Sequence, residues 1–173
     1  MDMISNAKKD AQSVTVSGAL VAEHIHGVVV HDVRNIVTQN GLATEVFRAD
    51  WQPDAPSVAQ TLFVTLRPGT ISGWHMHQRQ LDRIFAVSGT IRLVLFDGRA
   101  DSVTNRKVEV LHLDRARPCL VTVPTGVWHA IQTLGSEPAS FINFFNRLYD
   151  HSDPDEWRLP LDSADIPYRF PKA

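Results

Sequence analysis

The chain has 173 residues, 43% of them apolar and 21% charged, with a formal net charge of −2 and a pI near 6.4. That size and balance suit one globular domain and exclude a disordered or fibrous chain. No basic block marks a nucleic-acid partner, no run reaches membrane-spanning length, and the lone cysteine, Cys119, rules out an intramolecular disulfide.

The N-terminal stretch MDMISNAKKDAQS lacks the apolar core of a signal peptide, so the expected location is the cytoplasm. Residues 1–18 are polar and read as a flexible N-terminal segment; residues 19–173 read as a single domain. From Val28 onward, short β-branched and aromatic runs alternate with turn signals. The runs are GVVVHDV, LATEVFRADW, TLFVTLR, RIFAVSG, TIRLVLFDG, KVEVLHLD, CLVTVP and ASFINFF. The breaks include Asn40-Gly41, Pro68-Gly69, Asp97-Gly98 and Gly135-Ser136. Many short strands at regular spacing predict an all-β sandwich or barrel. Ser88-Gly89 between two runs reads as a tight hairpin turn. TIRLVLFD alternates imperfectly, as a strand covered on both faces would. The tail from Asp150, rich in proline and aspartate, predicts extended coil or a short helical turn packed on the barrel, with Asp150, Asp153 and Asp155 serving turns and caps.

The chemistry gathers around GWHMHQRQLDRIFAVSG. His75 and His77 are two apart, so on a strand they share one face. Asp82 follows, and His129 comes later in VPTGVWHAIQT. If the strands pair around one barrel, these four side chains converge. Three imidazoles and a carboxylate suit a divalent cation such as Zn, Fe, Mn, Ni or Cu. They equally suit proton abstraction beside a carbonyl, since histidine titrates near neutral pH. Trp74, Trp128 and Arg83 adjoin the site residues and are candidates for substrate contact, with packing as the alternative for the tryptophans and solvation for Arg83. His24, His26, His31, His112 and His151 have no constellation around them. Cys119 reads as a small buried apolar residue.

HxH, four residues, Asp82, six residues, Gly89 and a later PxGxxH resemble the two-motif pattern of the cupins. Over residues 28–170, and above all in the DPDEWRLP…IPY tail, the chain resembles the dTDP-4-dehydrorhamnose 3,5-epimerase family, in a divergent branch with an HxH…D motif. The resemblance implies a cupin-type jelly-roll β-barrel with a short extended or helical C-terminal tail. It also implies a homodimer acting, without a metal, on a nucleotide-linked 4-keto-hexose. Carried onto this chain, it makes His75 the catalytic base and Asp162 or Asp165 its carboxylate partner. Asp82 stands where the family has a lysine. The family's acidic tyrosine falls near Asn143 or Phe144, leaving Tyr149 as the nearest candidate acid. Trp74, Arg83, Trp128 and His129 are the expected substrate contacts.

The alternative is a metal cupin with His75, His77, Asp82 and His129 as ligands, acting as a dioxygenase or isomerase or as a non-catalytic binding module. A barrel that only binds sugar is a third reading. The segment from GVVVHDV to LATEVFRADW is the candidate dimer contact, since pairing it with a second copy would cover a sheet edge.

Overall fold

The structure, a computed structural model, describes residues 7–18, 21 and 23–171. The first six residues of the expected flexible segment therefore lie outside the described residues; 7–13 are exposed and irregular.

The strands run in chain order as β1 (Val29–Asp32), β2 (Asn35–Thr38), β3 (Gly41–Thr44), β4 (Gln60–Leu66), β5 (Ile71–Met76), β6 (Asp82–Ser88), β7 (Thr90–Asp97), β8 (Val108–Asp114), β9 (Cys119–Val123), β10 (Val127–Leu134), β11 (Ala139–Phe145) and β12 (Trp157–Arg158). They form a jelly roll of two five-stranded antiparallel sheets. The first has the order β1-β9-β6-β11-β4, the second β12-β5-β10-β7-β8, and β2-β3 is a separate hairpin. This is the all-β architecture that the short alternating runs predict.

Strand periodicity explains the layers. Ile84, Ala86, Val121, Val123 and Phe141 of the first sheet face Ile91, Leu93, Leu95, Val127 and Ile131 of the second across the core. The alternate residues of the second sheet, Trp74, Val94, Phe96 and Ala130, are equally buried, beneath Ile166, Leu159, Tyr168 and Phe170 of the tail. Both faces of β7 are thus covered, which accounts for its imperfect alternation. On the outer face of the first sheet, Phe85, Leu120 and Phe144 lie under Phe47, Trp51 and Val58. Most of LATEVFRADW is this irregular cover; only Gly41–Thr44 is strand.

Ser88-Gly89 is not a hairpin turn. β6 pairs with β9 and β11, whereas β7 pairs with β10 and β8, so the chain crosses between sheets there. Gly89 has φ +66°, and a Cβ on it would stand 2.9 Å from Ala139 Cα. The glycine is needed for the turn and for the close approach of the sheets.

Candidate active site

Four strands place the site. In the β5–β10 register His129 pairs with His75, and a shift between His129 and Ile131 brings Ser72 and His75 to the same inner face. Gly73 makes that shift sterically accessible. Its φ is +145°, and a Cβ would lie 2.4 Å from Ala130 Cβ and 2.7 Å from Ala130 Cα. From the other sheet, β6 contributes Asp82 and β11 contributes Asn143. Between the sheets lies a cavity of about 230 Å³, whose polar lining includes Ser72, His75, His77, Asp82, His129 and Glu156.

His75 sits in a dyad. Its Nδ1 lies 2.8 Å from Glu156 Oε1, so the ring donates N–H to the carboxylate, and Ser72 Oγ stands 3.2 Å from Nε2. Arg158 donates to the same glutamate oxygen at 2.6 Å. Burial, then the charges of His129 and Arg158, push the His75 pKa below its ordinary value, against the pull of Glu156. The ring is therefore neutral near pH 7, with the Nε2 lone pair as its basic atom.

His77 belongs to a second group. Its Nδ1 donates to the Asp155 carbonyl, and its Nε2 lies 3.6 Å from Asp82 Oδ2. His129 Nε2 lies 3.4 Å from the same oxygen. Asp82, 3% exposed, also accepts from Asn143 Nδ2 at 2.9 Å and from Gln80 Nε2 at 3.0 Å. Burial opposes charge on Asp82, but the bonds and charges of His129 and His77 outweigh it and hold the carboxyl well below the usual range. Burial likewise opposes charging of His77, yet Asp82 and the Asp155 carbonyl raise its pKa. Asp155 ties the loop down by accepting from the backbone N–H groups of Gln78, Arg79 and Gln80 at 3.0, 2.7 and 3.0 Å.

The four residues singled out by spacing, His75, His77, Asp82 and His129, all line the cavity, and so does Tyr149, 45% exposed at its rim. They do not form one ligand set. Only His77, Asp82 and His129 offer ligand atoms within 4.8 Å of one another. His75 is drawn away by Glu156.

Other expectations are corrected. The partner of His75 is Glu156, not Asp162 or Asp165, both of which are exposed. Trp74 and Trp128 pack on the outer face of the second sheet and do not line the cavity. Arg83 is buried on the outer face of the first sheet, where its NH2 group donates to the Pro56 carbonyl at 2.6 Å. Each directly follows or precedes an inward-facing site residue on its strand, so alternation turns it outward. Sequence reasoning missed Glu156, Ser72, Gln80 and the orienting amide of Asn143. The only signal for Glu156 was its place inside DPDEW, the most family-specific stretch of the tail.

Fold and site together define a jelly-roll protein with a histidine–carboxylate cavity sized for part of a small molecule. The chain belongs to the family described as the polysaccharide biosynthesis C-terminal domain, which matches residues 39–157. It is 33% identical to the "Probable low-salt glycan biosynthesis epimerase Agl13" of Haloferax volcanii, over 80% of this chain and 90% of that protein. It is 31% identical to the spore coat polysaccharide biosynthesis protein SpsL of Bacillus subtilis, over 84% of this chain and 96% of that protein. The crystal structure of a dTDP sugar isomerase from Desulfovibrio desulfuricans G20 superposes with a TM-score of 0.76 at 24% identity, covering 83% of this chain and 90% of that one. That likeness is one of fold.

Proposed function

We propose that the protein is an epimerase or isomerase that moves a proton next to the keto group of a nucleotide-linked 4-keto-hexose. The observation that carries the reading is the His75–Glu156 dyad at the wall of the cavity. Two relatives in polysaccharide synthesis, one of them bearing an epimerase name, support the substrate class.

The C3 and C5 protons of such a sugar are acidic because the carbanion is an enolate on the 4-keto oxygen. The neutral imidazole of His75 takes the proton at Nε2. Glu156 fixes the tautomer that leaves Nε2 basic and stabilises the imidazolium once it forms. His77 lines the same cavity, and its raised pKa favours the imidazolium form that would stabilise the developing oxyanion. Tyr149 at the rim is the candidate acid for return of a proton from the other face. This chemistry calls for no metal. Small-molecule turnover in the cytoplasm by a homodimer completes the reading.

The test is hydrogen exchange. In heavy water the protein should place deuterium at C3 or C5 of a dTDP-4-keto-6-deoxyhexose. His75→Asn should slow this by roughly 10²–10⁴-fold. Folded wild-type protein that exchanges neither position on any nucleotide-linked 4-keto-hexose would overturn the proposal.

A second reading is favoured by one observation, the close approach of His77, Asp82 and His129. The Nδ1 atoms of both histidines face backbone carbonyls, so both Nε2 atoms face Asp82, and once these nitrogens give up their protons the three side chains present ligand atoms to a divalent cation. His75 lies outside this trio. Elemental analysis after purification without added metal decides it: a stoichiometric ion lost in Asp82→Asn supports the cation site, and its absence leaves the proton-transfer site alone.

A further inference from the structure

Arg83 is 2% exposed, and it plays no part in the catalytic cavity. Beyond the NH2 bond to Pro56, its guanidinium lies 5.6 Å from the Phe47 ring centroid. Nε and NH1 are buried with no hydrogen-bond partner among the described residues. Leaving such donors dry is costly, and a guanidinium is the side chain least able to escape by losing its proton.

Beside it is a pocket of about 220 Å³, lined by Phe47, Arg48, Gln52, Pro53, Ser57 and Arg83 among others. No carboxylate of the described residues lines it. Arg48 is already paired with Asp50 at 2.7 Å and with Glu45 at 3.3 Å, so the uncompensated charge is that of Arg83. Gln52 accepts from Thr122 Oγ1 at 3.1 Å through Oε1, which keeps its amide NH2 as a donor. The Ser57 hydroxyl is a further donor. Buried unpaired cation, neutral donors and no anion together describe a site missing its negative partner.

We infer that this pocket, on the face of β6 opposite the catalytic cavity, binds a small oxyanion through the free N–H groups of Arg83 and Gln52 and the hydroxyl of Ser57. The ligand class is a phosphate or carboxylate group. The site is independent of the sugar-nucleotide reading, because Asp82 and Arg83 point to opposite sides of one strand.

The experiment is calorimetric titration of the whole protein with inorganic phosphate and, separately, with acetate, at constant ionic strength. Binding of either supports the site, and the stronger of the two tells phosphoryl from carboxyl recognition. Arg83→Met, which leaves every cavity residue in place, should weaken that binding by at least about tenfold. Should Arg83→Met not fold, the double variant Gln52→Leu, Ser57→Ala leaves β6 intact and should weaken binding in the same direction. No binding of either anion to the wild type overturns the inference. So does binding of equal strength and stoichiometry in wild type and variants, since the anions would then sit elsewhere.

Discussion

His75 and His77 line the same cavity and yet are tuned in opposite directions. Burial and neighbouring positive charge lower the His75 pKa; a buried carboxylate and a carbonyl raise that of His77. One ring is thereby biased toward the free base and the other toward its protonated form, a separation that acid–base sites use. The sign of the pH dependence follows. The base works when neutral, so activity is lost as pH falls through a pKa below the ordinary 6.5. The kcat/KM profile should therefore show its acidic limb below pH 6.5. Glu156 opposes the depression, so Glu156→Gln should move that limb lower still while cutting kcat by more than about tenfold. A profile that keeps its limb in Glu156→Gln, with only stability altered, would make the glutamate a structural contact.

At the scale of elements, alternation was the most informative property of the sequence. It brings His75, on β5, and His77, just past its end, to the same side facing the cavity, and the same rule turns Trp74, Arg83 and Trp128 outward because each adjoins an inward site residue. That consequence was readable from the strands alone. The Ser88-Gly89 crossover was not. A glycine with positive φ serves a hairpin and a passage between sheets equally well, and only the pairing partners of β6 and β7 distinguish them. Glu156 was hidden for another reason: it is 81 residues from His75, in a tail whose proline and aspartate give no periodicity. The element with least tolerance is the β5–β10 contact. Gly73→Ala would press a methyl against Ala130 and force an alanine into the φ of +145°. The expected cost is about 2–4 kcal/mol. Denaturant titration should show it, with exchange activity falling further than the folded fraction, because β5 carries Ser72 and His75 and leads directly into His77. An unchanged midpoint would mean that β5 can draw away from β10 freely.

At the scale of the molecule, the first sheet ends in an open edge. Among the described residues β4 is paired only with β11, and Phe63 on it is 64% exposed with Leu62 exposed beside it. The β2–β3 hairpin belongs to neither large sheet and leaves Ile36, Val37 and Leu42 to solvent, Val37 at 83%. An unprotected edge and an apolar hairpin are both features that a monomer is expected to cover. A second copy of the chain offers each what the other lacks, and two-fold symmetry would satisfy both edges at once. Gln60 and Leu62 of that edge also line the catalytic cavity, so the neighbour would close the mouth beside them. Each large apolar side chain covered would contribute about 1.5–3 kcal/mol, before the cost of association. Sedimentation should then find a dimer at micromolar concentration. Val37→Asp and Phe63→Asp should each drive it toward monomer and raise KM more than they lower the rate of proton exchange at saturation, since neither touches His75. A wild-type monomer with full exchange activity would show that the cavity is complete within one chain.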